Sequence, residues 1–372
     1  MLATAALYTR QPLLVAYIAV GCILGPHGMK MVSDPELLSE VAEIGIIFLL
    51  FLVGLDLQPS KLKSMLREGL VTGLASSLAF FLMGYALMLA FGFTQGEAIV
   101  GGVALTFSST IIGIKLLPTT VLHHRHIGEI VVSMLLIQDL IAILALILLA
   151  GYGGSVAGTL ANLGTVVAAL PLLVLAAFLG VRYVVLPLIR RFDAFHEFIF
   201  LLALGWCLGL ATLAAVTGLS LEIGAFVAGV ALAISPISQY IAESLRPLRD
   251  FFLVLFFFSV GAEVNLVVML EVFLPLAILA MAVVAVKPTV FALLLRWQGE
   301  TTETSWESGY RLGQASEFSL LLTYVAAETA LLGSEAAHVI QGATVLTMIL
   351  STYAVIFRYP SPIAVSPRLR RD

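Results

Sequence analysis

The chain has 372 residues, 60% hydrophobic and only 11% charged, with a formal net charge of −4. A soluble globular domain holds about 45–50% apolar and about 25% charged residues, so water is not the main solvent of this chain. The nearly balanced charge gives no basis for a nucleic-acid partner.

The mean hydropathy of +1.08 comes from repeated apolar runs, each about the ~20 residues that cross a ~30 Å hydrocarbon layer. Twelve segments are predicted in chain order: 11–25, 38–57, 69–92, 96–117, 128–151, 163–189, 197–217, 219–235, 249–264, 268–296, 308–330 and 338–358. A strand barrel is excluded, because its sequence would alternate, whereas "FIFLLALGWCLGLATLAAV" is apolar on every face.

Lys and Arg concentrate in loops that stay cytoplasmic. One side of the predicted bundle holds Arg10, Lys61, Lys63, Arg67, Arg125, Arg190, Arg191, Arg246, Arg249, Arg296, Arg311, Arg358, Arg368, Arg370 and Arg371, and the other only Lys30. That side and the C-terminus are therefore expected in the cytoplasm, with the chain multi-pass in the cell (inner) membrane. Cys22 and Cys207 lie in apolar segments, where a Cys is a small buried hydrophobe. The first residues lack a signal-peptide pattern.

Sliding the chain along itself by about 207–208 positions gives a self-match. "FLVGLDL" (51–57) lies over "FFSVGAEV" (257–264), "AVGCILGP" (19–26) over "VAGVALAISP" (227–236), and "TFSS" (106–109) over "QASE" (314–317). The related segments are an odd number of crossings apart, so the two copies run oppositely through the bilayer, as in the inverted repeats of secondary transporters. The expected organisation is a first repeat over 1–151, a linker helix over 152–196, a second repeat over 197–358 and a cytoplasmic tail over 359–372.

Inverted-repeat transporters interrupt helices at corresponding positions. The candidates here are the fourth segment, with Thr106, Ser108, Ser109 and Thr110 at mid-depth, and the eleventh, with Gln314, Ser316 and Glu317. Freed carbonyls and half-helix ends would face one another there and hold a cation.

An ionisable residue inside a span costs about 2.5–3.5 kcal/mol at the helix centre and is a functional candidate by default. Asp139, beside Gln138, has apolar helix on both sides. Its carboxylate is either protonated or charged and paired with a cation or a basic side chain, so a proton and a metal ion compete for it, which is the physical basis of antiport; the alternative is a purely structural buried hydrogen bond. Lys287 is the deep lysine, read as the ion-pair partner of Asp139, the alternative being a lysine that snorkels to the interface. Glu317 lines the site or stabilises a broken helix. Asp56 and Glu263 read as caps, Glu222 as a favourable N-terminal charge, and His123, His124 and His126 as a solvated loop with pH sensing as the alternative.

The stretches "GCILGPHGM" (21–29), "AEIGIIFLLFLVGLDL" (42–57), "FSSTIIGIKLL" (107–117), "LLIQDLIAILAL" (135–146), "GLSLEIGAFVAGVALA" (218–233), "FFFSVGAEVNL" (256–266) and "GQASEFSLLL" (313–322) carry a resemblance. In these the chain resembles the monovalent cation:proton antiporter-2 family, in particular the membrane domain of Kef-type potassium/proton antiporters. The resemblance implies an all-α polytopic membrane protein with the inverted-repeat antiporter fold and two crossed discontinuous helices. It also implies a core domain that moves against a dimerisation domain in a homodimer, Asp139 as carrier of cation and proton, and Lys287 as its pairing lysine. A single Asp preceded by Gln resembles the electroneutral members. The family's glycine pair before the Glu is here Ala315-Ser316, and its thirteen-helix members have one more N-terminal span. Kef-type proteins often continue into a cytoplasmic nucleotide-binding regulatory domain; no Gly-x-Gly-x-x-Gly follows a strand in this sequence.

The expected function is exchange of K+ or Na+ for H+ by alternating access at Asp139, Gln138, Ser108, Ser109, Thr110, Gln314, Ser316 and Glu317. No cofactor beyond the transported ions is expected. The rivals are a channel-like cation efflux system and a sodium-coupled organic-solute symporter of related fold. An enzyme is not expected, since no nucleophile–base pair or His-Glu-x-x-His set falls in a span.

Overall fold

A computed structural model describes residues 8, 13–32, 35–56, 59–117, 126–150, 169–192, 196–235 and 237–361. His123, His124 and Arg125 lie outside the described residues, as do most of the tail and the start of the linker segment.

In chain order the helices are α1 (Leu13–Leu24), α2 (Pro35–Asp56), α3 (Pro59–Ala90), α4 (Gln95–Thr106), α5 (Thr110–Lys115), α6 (His126–Ala150), α7 (Ala169–Arg191), α8 (His196–Val216), α9 (Leu221–Ala233), α10 (Ser238–Glu263), α11 (Leu266–Glu271), α12 (Phe273–Trp297), α13 (Thr302–Arg311), α14 (Glu317–Glu328) and α15 (Ser334–Arg358). Each of the twelve predicted segments falls on one of these helices or on a broken pair. The tenth begins as the short helix α11, capped by the Asn265 side chain accepting from Val267 N–H, before α12 runs on through Pro288.

Among the described residues six helices are membrane-length and apolar, within α3, α6, α7, α8, α12 and α15. The fourth and eleventh segments are each two half-helices: α4 and α5 separated at 107–109, α13 and α14 at 312–316. Polar backbone is tolerated at that depth only where protein groups satisfy it.

The helices divide into two compact units, each drawing on both halves of the sequence: 1–31, 64–146 and 260–372 form one, 32–63 and 147–259 the other. The second unit is built on α2, α7, α8 and α9 around Phe51, Leu55, Ala177, Val181, Cys207, Ala228 and Leu232. Here α2 and α9 approach so closely that a Cβ on Gly229 would fall 2.1 Å from Phe51 O and one on Gly54 2.6 Å from Phe226 O. The first unit contains the corresponding approach: a Cβ on Gly261, the sequence mate of Gly54, would meet Ile18 O of α1 at 2.0 Å. Its core joins α3, α6 and α12 through Phe80, Val131, Met134, Ile137, Phe291 and Leu295, and it alone carries both broken helices.

Candidate functional site at two broken helices

Two reciprocal hydrogen bonds join the breaks. Ser108 Oγ donates to Leu312 O at 2.8 Å, and Gln314 Nε2 donates to Ser109 O at 3.3 Å. The polar side chains that opened the helices are thus the ones that tie them together. Burial without such partners would cost about 1–3 kcal/mol for each orphaned group.

Each break is also closed by the next long helix of its own half. From α6, Gln138 accepts from Ser108 N–H at 3.0 Å and donates to Thr106 O at 3.3 Å. From α15, Thr347 Oγ1 accepts from Ala315 N–H at 3.0 Å, and Ser351 Oγ donates to Gln314 Oε1 at 3.0 Å. Ala315 therefore holds its place through an ordinary amide bond. Ser316 is extended, with φ −107 and ψ 160, so the backbone at Ser316 does not need the freedom of a glycine.

Lys287 of α12 is fully buried. Its ammonium donates to Phe107 O at 2.6 Å, Gln314 O at 3.1 Å and Ser108 Oγ at 3.4 Å, and lies 5.0 Å from the centre of the Phe80 ring. The two carbonyls come from the two breaks, one in each half of the sequence. Both follow half-helices whose C-terminal ends are the negative poles of their dipoles, so one ammonium serves both ends. The described acceptors of Lys287 are thus two carbonyls and a hydroxyl, where the sequence led us to expect an ion pair with Asp139. An ammonium needs acceptors of any kind, and two convergent carbonyls supply them without a second buried charge.

Asp139 is 6% exposed and projects from α6 beside Gln138. Thr110 Oγ1, in the first turn of α5, stands 3.3 Å from both carboxylate oxygens. Neighbours on one helix thus serve different ends: Gln138 enters the break, while Asp139 faces its exit. In the second broken helix, Ser316 caps α14 by accepting from Phe318 N–H at 3.1 Å. Glu317 is buried in the first turn, where the dipole favours an acid, and accepts from Ser316 Oγ at 3.4 Å. Ser109 accepts from Ile112 N–H at 3.2 Å. Of the nine residues singled out in the sequence, all lie at the two breaks or on helices bonded to them, and most already spend their polar atoms on one another.

Arg311 is a correction. Counted above as a loop charge, it is fully buried. It donates to Glu307 Oε1 through Nε at 3.0 Å and Nη2 at 2.6 Å, to Leu116 O at 2.8 Å and to Pro360 O at 2.7 Å. It ties the end of the first broken helix to the end of α13, next to the second break, and to the chain after α15. The i, i+4 spacing of Glu307 and Arg311 was the available signal. His126 also differs from its expectation: it opens α6, with Nε2 2.7 Å from Glu300 Oε1 and Nδ1 3.5 Å from Glu129 Oε2. Glu222 sits in the first turn of α9 as expected.

The sequence matches the transmembrane family described as sodium/hydrogen exchanger over residues 1–357. This chain belongs to that family. The structure is similar to that of the sodium proton antiporter MjNhaP1 from Methanocaldococcus jannaschii at pH 8, with a TM-score of 0.67 and 18% identity over 95% of this chain and 92% of that one. At such identity the likeness establishes the fold: the inverted-repeat antiporter architecture with two crossed broken helices. As a member of the sodium/hydrogen exchanger family the chain is a multi-pass membrane transporter, and an enzymatic role is set aside on that ground.

Proposed function

We propose that the chain is a secondary active antiporter that exchanges one monovalent cation, K+ or Na+, for one proton by alternating access, with Asp139 as the carrier. The observation that carries this reading is the nearly buried Asp139 carboxylate facing the Thr110 hydroxyl at the edge of the first break. A carboxylate there is neutralised by a proton or by a metal ion, and one acid that holds either in turn exchanges charge for charge, which makes the cycle electroneutral.

The side chains of Gln138, Ser108, Ser109, Gln314 and Ser316 support the site by holding the backbone, and Lys287 compensates the half-helix ends without leaving them. The cation is then bound by the Asp139 carboxylate, the Thr110 oxygen and water. The distribution of Lys and Arg supports a cytoplasmic C-terminus, and assembly as a homodimer belongs to the same reading.

The test is purified protein in proteoliposomes with an internal pH dye. Wild type should move protons when Na+ or K+ is added outside. Asp139→Asn, reconstituted to the same density and with the same elution profile, should move none. Full cation-driven proton flux in that variant would remove the proposed carrier.

A further inference from the structure

The helix α7 buries every fourth residue, Leu173, Ala177, Val181, Val185 and Ile189. At 3.6 residues per turn such a row would drift about 40° round the helix at each step. A π turn over Val181–Val185, wider than an α turn, takes back part of that drift. Within that turn Arg182, Tyr183 and Val184 are all exposed between two buried valines. The same helix exposes Leu172 (68%), Leu175 (55%) and Leu179 (46%), the surface expected of a helix that faces lipid.

An arginine is therefore turned out of an apolar helix eight positions before Arg190, about 12 Å along the axis at 1.5 Å per residue. Half of the hydrocarbon layer is about 15 Å thick, so the stem of Arg182 starts within hydrocarbon and its head must reach toward the headgroups. Arg182 lies over the Tyr183 ring, 5.7 Å from its centre. From 169 to 192 the sequence contains Arg182, Arg190 and Arg191 and no acidic residue.

We infer that Arg182 anchors a binding site for the phosphate of an anionic phospholipid. The guanidinium fork matches two phosphate oxygens, the outer face of α7 accepts the acyl chains, and Arg190 and Arg191 at the helix end add attraction for a net negative headgroup. A second copy of this chain is the poorer occupant, since a two-fold contact centred on this face would bring identical basic residues together.

The experiment is native mass spectrometry of the full chain released from nanodiscs of equimolar phosphatidylglycerol and phosphatidylcholine. Wild type should retain phosphatidylglycerol in preference, and Arg182→Gln should lower that preference about fivefold, the loss expected for one basic residue near a membrane surface. Arg182→Lys, which keeps the charge and loses the fork, should fall between them. A second measurement needs no variant: phosphatidylglycerol, and not phosphatidylcholine or inorganic phosphate, should raise the Tm of the delipidated wild type. Unchanged phosphatidylglycerol retention in Arg182→Gln would overturn the inference. So would equal Tm shifts with both lipids, displacement of the lipid by free phosphate, or a variant that alters only the dimer fraction.

Discussion

The ammonium of Lys287 lies 2.6 Å from the carbonyl oxygen of Phe107. That carbonyl follows the last turn of α4, so the lysine acts on the end of a helix dipole. Replacing Lys287 by Met keeps the stem and removes the donor. Phe107 O and Gln314 O then lose their charged partner at a buried position, each bond of this kind contributing about 1.5–3 kcal/mol. A marked fall in the Tm of the detergent-solubilised protein is expected, larger than that of Asp139→Asn. If Lys287→Met matched wild type in Tm, the dipole-compensating role would be lost.

Gln138 gives a second, separable prediction. Its amide satisfies a donor and an acceptor that the break in the fourth segment leaves open, Ser108 N–H and Thr106 O. Gln138→Leu leaves both unpaired and should cost about 1–3 kcal/mol for each, read as a lower midpoint in thermal unfolding. Gln138→Glu keeps the acceptor for Ser108 N–H and should lose less. Equal midpoints for the two variants would argue against this bridging role.

Thr110 is where cation affinity should respond. Its hydroxyl stands 3.3 Å from both Asp139 oxygens, and in the proposed cycle its oxygen turns to the metal ion. Thr110→Val preserves shape and removes that oxygen, at about the 1.4 kcal/mol that raises a dissociation constant tenfold. The half-maximal Na+ or K+ concentration in the proteoliposome assay should rise roughly tenfold, while Thr110→Ser stays close to wild type. A normal cation response in Thr110→Val would exclude the hydroxyl from the site.

Much of this architecture was legible before any coordinates. The helices on which the twelve predicted segments fall follow from apolar run length, because lipid demands it, and both breaks fall at the polar clusters read at mid-depth, Thr106 to Thr110 and Gln314 to Glu317. That Lys287 meets the Phe107 and Gln314 carbonyls was not legible, because only the approach of α4 and α13 in space brings them to one ammonium. The π turn of α7 went unread although Pro187, two residues past it, was the available signal: its ring crowds the carbonyl of Tyr183, four residues back and inside the turn. Arg311 was misread because an arginine near a predicted span boundary looks like a loop charge until its burial is known.

That buried arginine carries the last prediction. Arg311 uses Nε, Nη1 and Nη2 in different directions, toward Glu307, Leu116 O and Pro360 O. Lysine has one nitrogen at the end of its stem and cannot reach all three. Arg311→Lys should therefore keep the charge beside Glu307 yet release the end of α5 or the segment after α15, with a loss of stability and of transport rate together. Arg311→Ala leaves the Glu307 carboxylate unpaired, which for a buried pair costs about 3–5 kcal/mol, and should yield little folded protein. Adding Glu307→Gln to Arg311→Ala removes the stranded charge and should recover part of that yield, as judged by size-exclusion chromatography. The three variants then rank as Arg311→Lys, the double variant and Arg311→Ala in decreasing order of folded protein. Arg311→Ala standing level with the double variant would mean that Glu307 is not held by this pair.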